Sequence, residues 1–383
     1  MFIDAIDPRG TVNPRNYKTA GNVYAELEKY ENYGGGNFLW DAAIYFSYRS
    51  NFDPQRKPER VPGYTDYFQR RNEKEDETHT NLAIKFGKIM AKNHIPYGVI
   101  TKKDLNRLSE FQVVILSNVA VLDEEELREL KKYVAGGGHL IATKSTSIIS
   151  ENGEKQSNFL LADLLGVDYA GKTSGNVTYV SPRENAEKYF EGFDKIWPPT
   201  LESSQMLVRA KSGTEILATI TLPYTYEWEW RYASLLTNPP GNYTDWPSVV
   251  KNHFGKGSSL YFAGAVEKWS NERLDKVIGN LVRSVCDRPM YHHADAPSCV
   301  EITMFDQPEA NRFVLHAVNY QYEMPNIPVY HVPIQVNTHG KEVKKATIIA
   351  DDVKELDIKK LENGCIEITI PSIETYSLIT LAY

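Results

Sequence analysis

The sequence is poor in cysteine, carries no excess of positive charge and has no long apolar run. Its 383 residues include Cys286, Cys299 and Cys365, and the odd number and wide spacing of these cysteines argue against a disulfide framework or a zinc motif. The chain starts without the basic region and apolar segment of a secretory signal, and no apolar stretch is long enough to cross a membrane. We therefore expect a cytoplasmic protein.

Charge and histidine spacing argue against two further classes of partner. The formal net charge of −7 gives a nucleic-acid partner no electrostatic support. The histidines show neither the H-x-x-x-H nor the H-E-x-x-H spacing of metal ligands, so we expect no metal and no cofactor. Tyrosine and tryptophan are abundant, with 24 and 6 residues. Their rings stack on sugars but also fill cores and subunit interfaces, which keeps a saccharide and a second subunit as candidate partners.

Residues 1–37 are predicted to form a separate N-terminal segment. An extended piece ends in a Pro-Arg-Gly turn, and a helix is expected over residues 16–33 before three glycines break the chain. Such a start is more typical of the last strand and helix of a larger domain than of the opening of one. One side of the helix would be apolar and would carry Tyr17, Val23, Tyr24, Leu27 and Tyr30.

Between residues 38 and 290, strand and helix signals alternate. Residues 112–117 form a continuous apolar run, as expected for a strand that is buried on both faces. Asp123 and Glu126 predict a capped helix start in a solvated acidic run, and glycines 136–138 predict the end of that helix. The alternation predicts a mostly parallel sheet covered by helices.

The last part of this region contains the cleanest helix signal in the chain. Ser270 is predicted to cap it. Apolar residues recur behind this cap at helical spacing, which predicts one buried face. The stripe consists of Leu274, Val277, Ile278, Leu281, Val282 and Val285.

From residue 298 to residue 383 the pattern changes to strands alone. Turn signals at residues 337–340 and 362–364 separate alternating or β-branched segments. This arrangement predicts a small β-sandwich of about six or seven strands. The predicted strands are residues 300–304, 312–319, 329–336, 344–349, 364–370 and 376–382.

The turn at residues 143–147 follows a predicted strand, at the place where open α/β sheets bind ligands. Glutamine amidotransferases, which share this general fold, place a cysteine nucleophile at such a turn, and this turn has no cysteine. A serine nucleophile at Ser145 or Ser147 would need a tight elbow and a placed histidine, and neither is evident. We therefore predict no catalytic residue, with a small-molecule hydrolase at this turn as an alternative that requires a nearby base.

An aromatic segment lies in a long irregular insertion at residues 222–248. It mixes rings with carboxylates, as sugar sites do, but Glu227 and Glu229 are two residues apart and cannot flank a glycosidic bond from opposing sides. The segment is therefore predicted to contact a carbohydrate or another subunit. The candidate contact residues are Tyr224, Tyr226, Glu227, Trp228, Trp230, Arg231 and Trp246.

Several segments, taken in order, carry a resemblance to a known family. They are residues 7–10 with the helix that follows, 40–47, 113–118, 122–127, 134–142 and 252–261. In these segments the chain resembles the C-terminal two-thirds of beta-galactosidases that carry a trimerisation domain, which form glycoside hydrolase family forty-two. The resemblance implies an α/β plus all-β protein. Its parts would be a flavodoxin-like, class I glutamine-amidotransferase-like doubly wound sheet at residues 38–290 and then the β-sandwich.

The resemblance also implies where the chemistry of the family would lie. Its catalytic glutamates lie on the strands of a (β/α)8 barrel that precedes the middle domain, so no position of this sequence inherits them. A barrel needs about 200 residues or more, and residues 1–37 would supply only a remnant of one. We therefore expect a non-catalytic accessory and oligomerisation module in carbohydrate metabolism. Its expected partners are further copies, as a dimer or trimer, and a separately encoded catalytic barrel; a stand-alone carbohydrate-binding protein is the alternative.

Overall fold

The computed structural model describes residues 10–51, 77–225, 239–269, 271–349 and 353–383. The chain divides into two compact units, one made of Trp40–Met290 and the other of Met1–Leu39 together with Tyr291–Tyr383. None of the described helices has the length and apolar character needed to span a membrane. Each unit is described separately below.

The secondary structure of the described residues is as follows. The α-helices are α1 (Pro14–Glu28), α2 (His79–Lys92), α3 (Glu124–Ala135), α4 (Ala162–Leu165) and α5 (Glu272–Arg283). The strands up to residue 262 are β1 (Asn37–Phe38), β2 (Ala42–Tyr45), β3 (Tyr97–Ile100), β4 (Val113–Leu116), β5 (His139–Thr143), β6 (Val167–Thr173), β7 (Thr178–Pro182), β8 (Thr200–Leu201), β9 (Met206–Ala210), β10 (Glu215–Pro223), β11 (Pro240–Phe254) and β12 (Gly257–Phe262). The later strands are β13 (His292–Ala294), β14 (Val300–Gln307), β15 (Arg312–Asn319), β16 (Val329–Val336), β17 (Lys345–Ile349), β18 (Lys354–Leu356), β19 (Lys359–Lys360), β20 (Ile366–Ile373) and β21 (Tyr376–Ala382).

The first unit contains a nine-stranded mixed sheet in the order β3-β2-β4-β5-β12-β11-β10-β7-β8. The five strands from β3 to β12 are parallel, and the remaining strands are antiparallel. The prediction of a mostly parallel sheet therefore holds for only one half. The other half is built on the long β10–β11 pair, which is antiparallel.

Both faces of the parallel half are covered, which explains its continuous apolar strands. Ala42 and Ile44 of β2 belong to a buried cluster that also contains residues of α2 and α5. Ala43 and Tyr45, which point to the opposite face, belong to a second cluster with residues of α3 and α4. The predicted buried strand at residues 112–117 is confirmed, since every residue of β4 is buried.

The predicted limits of helix α3 are confirmed, and the predicted solvation of its acidic start holds for Glu124 and Glu125 but is wrong for Asp123 and Glu126. The Asp123 carboxylate accepts a hydrogen bond from the backbone N–H of Glu126, and the Glu126 carboxylate accepts one from the backbone N–H of Asp123. Gly136 is the C-cap residue. Asp123 and Glu126 are only 4% and 3% exposed, because Lys102 binds the first and the hydroxyl of Tyr45 donates to the second.

Helix α5 begins one residue later than the sequence suggested. The side chain of Asn271 accepts a hydrogen bond from the backbone N–H of Leu274 and caps the helix, while Ser270 lies outside the described residues. The predicted apolar stripe, from Leu274 to Val285, is buried in the same cluster as Ala42. This helix therefore supplies much of the cover on one face of the sheet.

The second unit consists of two sheets that share one apolar core. A six-stranded sheet has the order β1-β14-β15-β21-β17-β18, and a four-stranded sheet has the order β13-β16-β20-β19. Each of the predicted strands after residue 298 overlaps an observed one. The expected β-sandwich is therefore seen, with strand β13 added before its predicted start.

The N-terminal segment is not separate, because it joins the second unit. Asn37 and Phe38 of β1 pair with Asp306 and Phe305 of β14. The Gln307 amide group also donates to the carbonyl oxygens of residues 33, 34 and 35, at 2.9–3.0 Å. The structure therefore does not place a domain boundary at residue 37 as predicted, because strand pairing with a distant part of the chain assigns this segment to the second unit. The extended piece predicted at residues 3–8 lies outside the described residues.

Candidate functional site

The turn after β5 presents a lysine, and its serines are not arranged as nucleophiles. Lys144 has φ 49° and Ser147 has φ 63°, both in the left-handed region. The Ser147 hydroxyl accepts a hydrogen bond from the backbone N–H of Leu161 at 3.2 Å, and the Ser145 hydroxyl contacts the sulfur of Met206 at 3.7 Å. Among the described residues neither hydroxyl contacts a histidine, carboxylate or amine, so the hydrolase alternative lacks its required base.

A buried carboxyl group lies at the carboxyl end of the parallel strands. The Thr143 hydroxyl donates to Oε1 of Glu267 at 2.8 Å, and Glu267 is only 1% exposed. Burial raises the pKa of Glu267 to about 7, although Thr143 stabilises the ionised form. Oε2 of Glu267 and Oγ of Ser117 are both buried, and the Ser117 hydroxyl lies close enough to Glu267 to stabilise its ionised form as well.

Two lysine side chains bind a single carboxylate near this group. Nζ of Lys144 donates to Oε2 of Glu77, and Nζ of Lys268 lies 3.3 Å from Oε1 of the same carboxylate. Nζ of Lys144 also lies 3.4 Å from Oγ of Ser203. Burial alone would raise the pKa of Glu77, but the two ammonium groups outweigh it and the pKa is lowered. We call Glu77, Lys144 and Lys268 the lysine clamp.

His79 is a structural link between two strand ends. Its Nε2 accepts a hydrogen bond from the backbone N–H of Ser47 at 2.9 Å, and its Nδ1 lies 2.7 Å from the carbonyl oxygen of Ser117. Burial lowers the pKa of His79 in spite of the hydrogen bond to Ser117, so the neutral ring is favoured. The neutral ring donates through Nδ1 and accepts through Nε2, which uses both nitrogens.

A Ser-His-Asp series lies at the opposite, amino end of the parallel strands. Nδ1 of His139 lies 2.9 Å from Oγ of Ser258, and Nε2 lies 3.0 Å from Oδ2 of Asp287. The nitrogens are used in the reverse sense of the serine-hydrolase arrangement, in which Nε2 faces the serine. Ser258 is also buried, so its oxygen cannot attack a substrate. The series borders an open depression of about 750 Å³ and links three elements without forming a catalytic site.

The predicted aromatic site is only partly described. Tyr226, Glu227, Trp228, Trp230 and Arg231 lie outside the described residues. The two described members are placed differently. Tyr224 is exposed beside Gly241, whereas Trp246 is partly buried with Lys172 and Arg209 near its ring, at 5.8 and 5.7 Å. The structure thus does not show these two rings side by side.

A shallow bowl of about 610 Å³ lies next to the exposed part of this aromatic region. Its lining includes the ring of Tyr243, which is exposed, and the charged side chains of Arg183, Glu187 and Asp245. The ammonium group of Lys195 lies 5.1 Å from the ring centre of Tyr243. Sequence reasoning missed this bowl, because residues 182–187 come from a different strand and turn.

The parallel edge of the large sheet carries an exposed apolar surface. Edge strand β3 presents Val99, which is 59% exposed, and neighbouring helix α2 presents Ile84, which is 54% exposed. Between them is a depression of about 330 Å³ with mainly apolar lining, including Ile44, Phe46 and Tyr97. We call this the β3 surface.

Helix α1 in the second unit is a second exposed apolar surface. The Asn13 side chain caps it by accepting hydrogen bonds from the backbone N–H groups of residues 15 and 16, and none of its own residues is buried. The predicted apolar side is present, but it faces solvent: Tyr17, Val23, Tyr24 and Leu27 are all exposed. Tyr30, beyond the helix, packs edge-on against Tyr376 with ring centres 4.9 Å apart.

No group of three or more histidine, cysteine, aspartate or glutamate side chains within the described ranges could hold a metal ion.

Sequence reasoning also missed the lysine clamp and Glu267. Their side chains come from positions 67 to 191 residues apart, and no local spacing indicates such an assembly.

Two solved structures with a similar fold are longer than this chain. An alpha-L-fucosidase isoenzyme 2 from Paenibacillus thiaminolyticus is 18% identical, with a TM-score of 0.75 over 99% of this chain and 54% of its own. A beta-galactosidase from Bacillus circulans sp. alkalophilus is 16% identical, with a TM-score of 0.65 over 99% and 47%. The chain thus spans about half the length of these proteins, and the likeness concerns the fold.

A comparison with protein-family models gives a more specific result. Residues 41–285 match the model described as the beta-galactosidase trimerisation domain. A search of curated protein sequences finds no match. The matched residues correspond to nearly all of the unit Trp40–Met290 and to more than half of the chain. The chain therefore belongs to the beta-galactosidase trimerisation domain family.

Proposed function

We propose that this chain is a non-catalytic accessory and oligomerisation module of a beta-galactosidase-like glycoside hydrolase that acts in carbohydrate metabolism. The β3 surface is the observation that carries this proposal. Contiguous apolar area on an exposed sheet edge is unfavourable in water, and soluble proteins usually cover such an edge or pair it. A further copy of the chain would bury Val99 and Ile84, and closed symmetry would make the assembly finite; we propose a dimer or trimer.

The strand order supports a flavodoxin-like, amidotransferase-like origin for the first unit. The parallel strands run β3-β2-β4-β5-β12, so the chain moves from β2 to one side and then returns to the other. This is the order of doubly wound sheets of the flavodoxin type, with the reversal between β2 and β4. The three thiols are free, which supports a reducing compartment such as the cytoplasm.

Helix α1 supports a second partner, a catalytic barrel. Its exposed tyrosine, valine and leucine side chains would be buried by a neighbouring domain, which would stabilise the helix through hydrophobic contact. Solved structures of similar fold have about twice the length of this chain, which leaves room for such a domain in those proteins. A barrel on the same polypeptide or on a separate one would bury the apolar side of the helix equally well.

The proposed self-association is tested by sedimentation velocity on the full chain. We expect the wild type to sediment as a dimer or trimer at micromolar concentration and the double variant V99K/I84E to sediment as a monomer. Charges at two exposed positions add little strain to the fold but cannot be buried without a large desolvation cost. Tyr322→Lys is the matched control, because this side chain is 97% exposed in the other unit. A monomeric wild type would contradict the proposal.

Saccharide binding is a second candidate function, and the bowl around Tyr243 favours it. An exposed ring beside both acidic and basic hydrogen-bonding groups suits a neutral, hydroxylated ligand. Calorimetry with galactosides and oligosaccharides tests this candidate. Binding that is lost in Tyr243→Ala and retained in Tyr322→Ala would support it, whereas the absence of heat with every sugar would remove it.

A further inference from the structure

The lysine clamp lies where α/β proteins present their reactive or binding groups. Lys144 directly follows β5, and Asn118 lies just beyond β4, at the carboxyl edge of neighbouring parallel strands. Both residues have φ near 50°, which non-glycine residues adopt at a cost of about 1 kcal/mol or more. A strained turn after a strand is also where hydrolases of this general architecture expose their nucleophile. Here the side chain in that position is an amine.

The geometry of the clamp matches a carboxylate. One oxygen of Glu77 faces Nζ of Lys144 and the other faces Nζ of Lys268, so a planar group with two oxygens is held by two ammonium groups. The side chains of Lys144 and Lys268 are 12% and 19% exposed, which excludes much of the competing water. Two positive charges around one negative charge leave the clamp with a net positive charge.

A buried carboxyl group lies in the same region. Glu267 is only 1% exposed, and the hydroxyl groups of Thr143 and Ser117 both stabilise its ionised form. Glu267 lies close enough to Lys144 for the ammonium charge to favour its ionised form.

We propose that Lys144 and Lys268 form a binding site for a small carboxylate ligand and that the Glu77 side chain is its internal occupant, displaced when the ligand binds. Glu77 is suited to this role because it belongs to the short stretch just before the N-cap residue Thr78 and is not part of a helix or strand. No covalent step is involved. The site is independent of the proposed self-association, since it uses neither the β3 surface nor α1.

Removal of the internal carboxylate provides the test. The melting temperature of full-length E77A is measured in sodium acetate and in sodium chloride of equal ionic strength. We expect acetate to raise the melting temperature of E77A saturably, because a ligand that binds only the folded state stabilises it. The wild type should respond more weakly, since tethered Glu77 competes. Asp168→Ala is the matched control: it removes a carboxylate held by one lysine, Lys211, and the amide of Asn158, and acetate should not raise its melting temperature.

A second substitution identifies the residues that bind the ligand. By calorimetry, acetate should bind the double variant E77A/K144M at least tenfold more weakly than it binds E77A. If E77A does not fold, E77Q replaces it in both measurements. Equal responses to acetate and chloride, or equal acetate affinities with and without Lys144, would overturn the proposal. Tighter binding of phosphate than of acetate would overturn the assignment of a carboxylate.

Discussion

Buried polar side chains have different surroundings at the two ends of the parallel strands. At the amino end, Asp41 is fully buried and accepts a hydrogen bond from the side chain of Gln112 at 2.8 Å, and His139 uses both of its nitrogens. At the carboxyl end, the hydroxyl groups of Thr143 and Ser117 stabilise the ionised form of Glu267, but burial still raises its pKa to about 7. The contacts of Asp41 and His139 are therefore structural, whereas the carboxyl end holds a buried carboxyl group that can change its charge beside the lysine clamp.

The largest expected effect concerns backbone packing at the amino end. A Cβ atom at Gly257 would lie 2.0 Å from the carbonyl oxygen of Gly138 and 2.5 Å from that of Val134. Gly257→Val should therefore lower the free energy of unfolding by about 3 kcal/mol or abolish soluble expression, because neither contact is with a flexible side chain. Chemical denaturation measures the change, with Gly175→Ala as a control whose added atom meets nothing within 4 Å. Equal stability of the two variants would show that this end is loosely packed.

The second expected effect is a change of stability with pH, which arises from Glu267 at the carboxyl end. The pKa of Glu267 is about 7 in the folded chain against 4.5 for a free side chain, so the folded state holds a proton that the unfolded state releases. Its contribution to stability is complete below pH 4.5 and is lost as the pH rises to 7, by roughly 3 kcal/mol. Glu267→Gln should remove this loss. The difference in unfolding free energy between wild type and variant is measured at about pH 5 and pH 8; no change with pH would refute the expectation.

The smallest effect concerns the Ser-His-Asp series. Asp287 has a side chain that is 79% exposed, so its bond to His139 is screened by water. Asp287→Ala should lower stability by only about 0.5 kcal/mol. The variant should also sediment as the wild type does, because the series lies away from the β3 surface. A loss of several times this size in chemical denaturation would show that this end depends on the exposed carboxylate.

Local signals were enough to predict several elements of the fold. Helix α3 was predicted with its cap and its end, because Asp123, Glu126 and Gly136 act within one turn of each terminus. The burial of Asp123 could not be predicted in the same way. Its partners Lys102 and Arg49 come from positions 21 and 74 residues away, and only the folded chain brings them together.

The sequence predicted the position of the site but not its chemistry. The turn at residues 143–147 does follow a strand at the carboxyl edge of the sheet, as its sequence indicated. The group that matters there is Lys144, whose role depends on Glu77 and Lys268 from distant segments. A spacing-based search for a nucleophile considers only the serines, which the structure places in packing and capping contacts.

The pairing of β1 with β14 has a consequence for synthesis on the ribosome. The strand of Asn37 cannot pair until Asp306 has been synthesised, and the whole unit Trp40–Met290 is made in between. At about 5–20 residues per second the delay is on the order of tens of seconds. The inserted unit therefore has time to fold first, while the early strand of the other unit remains unpaired until Asp306 has been made.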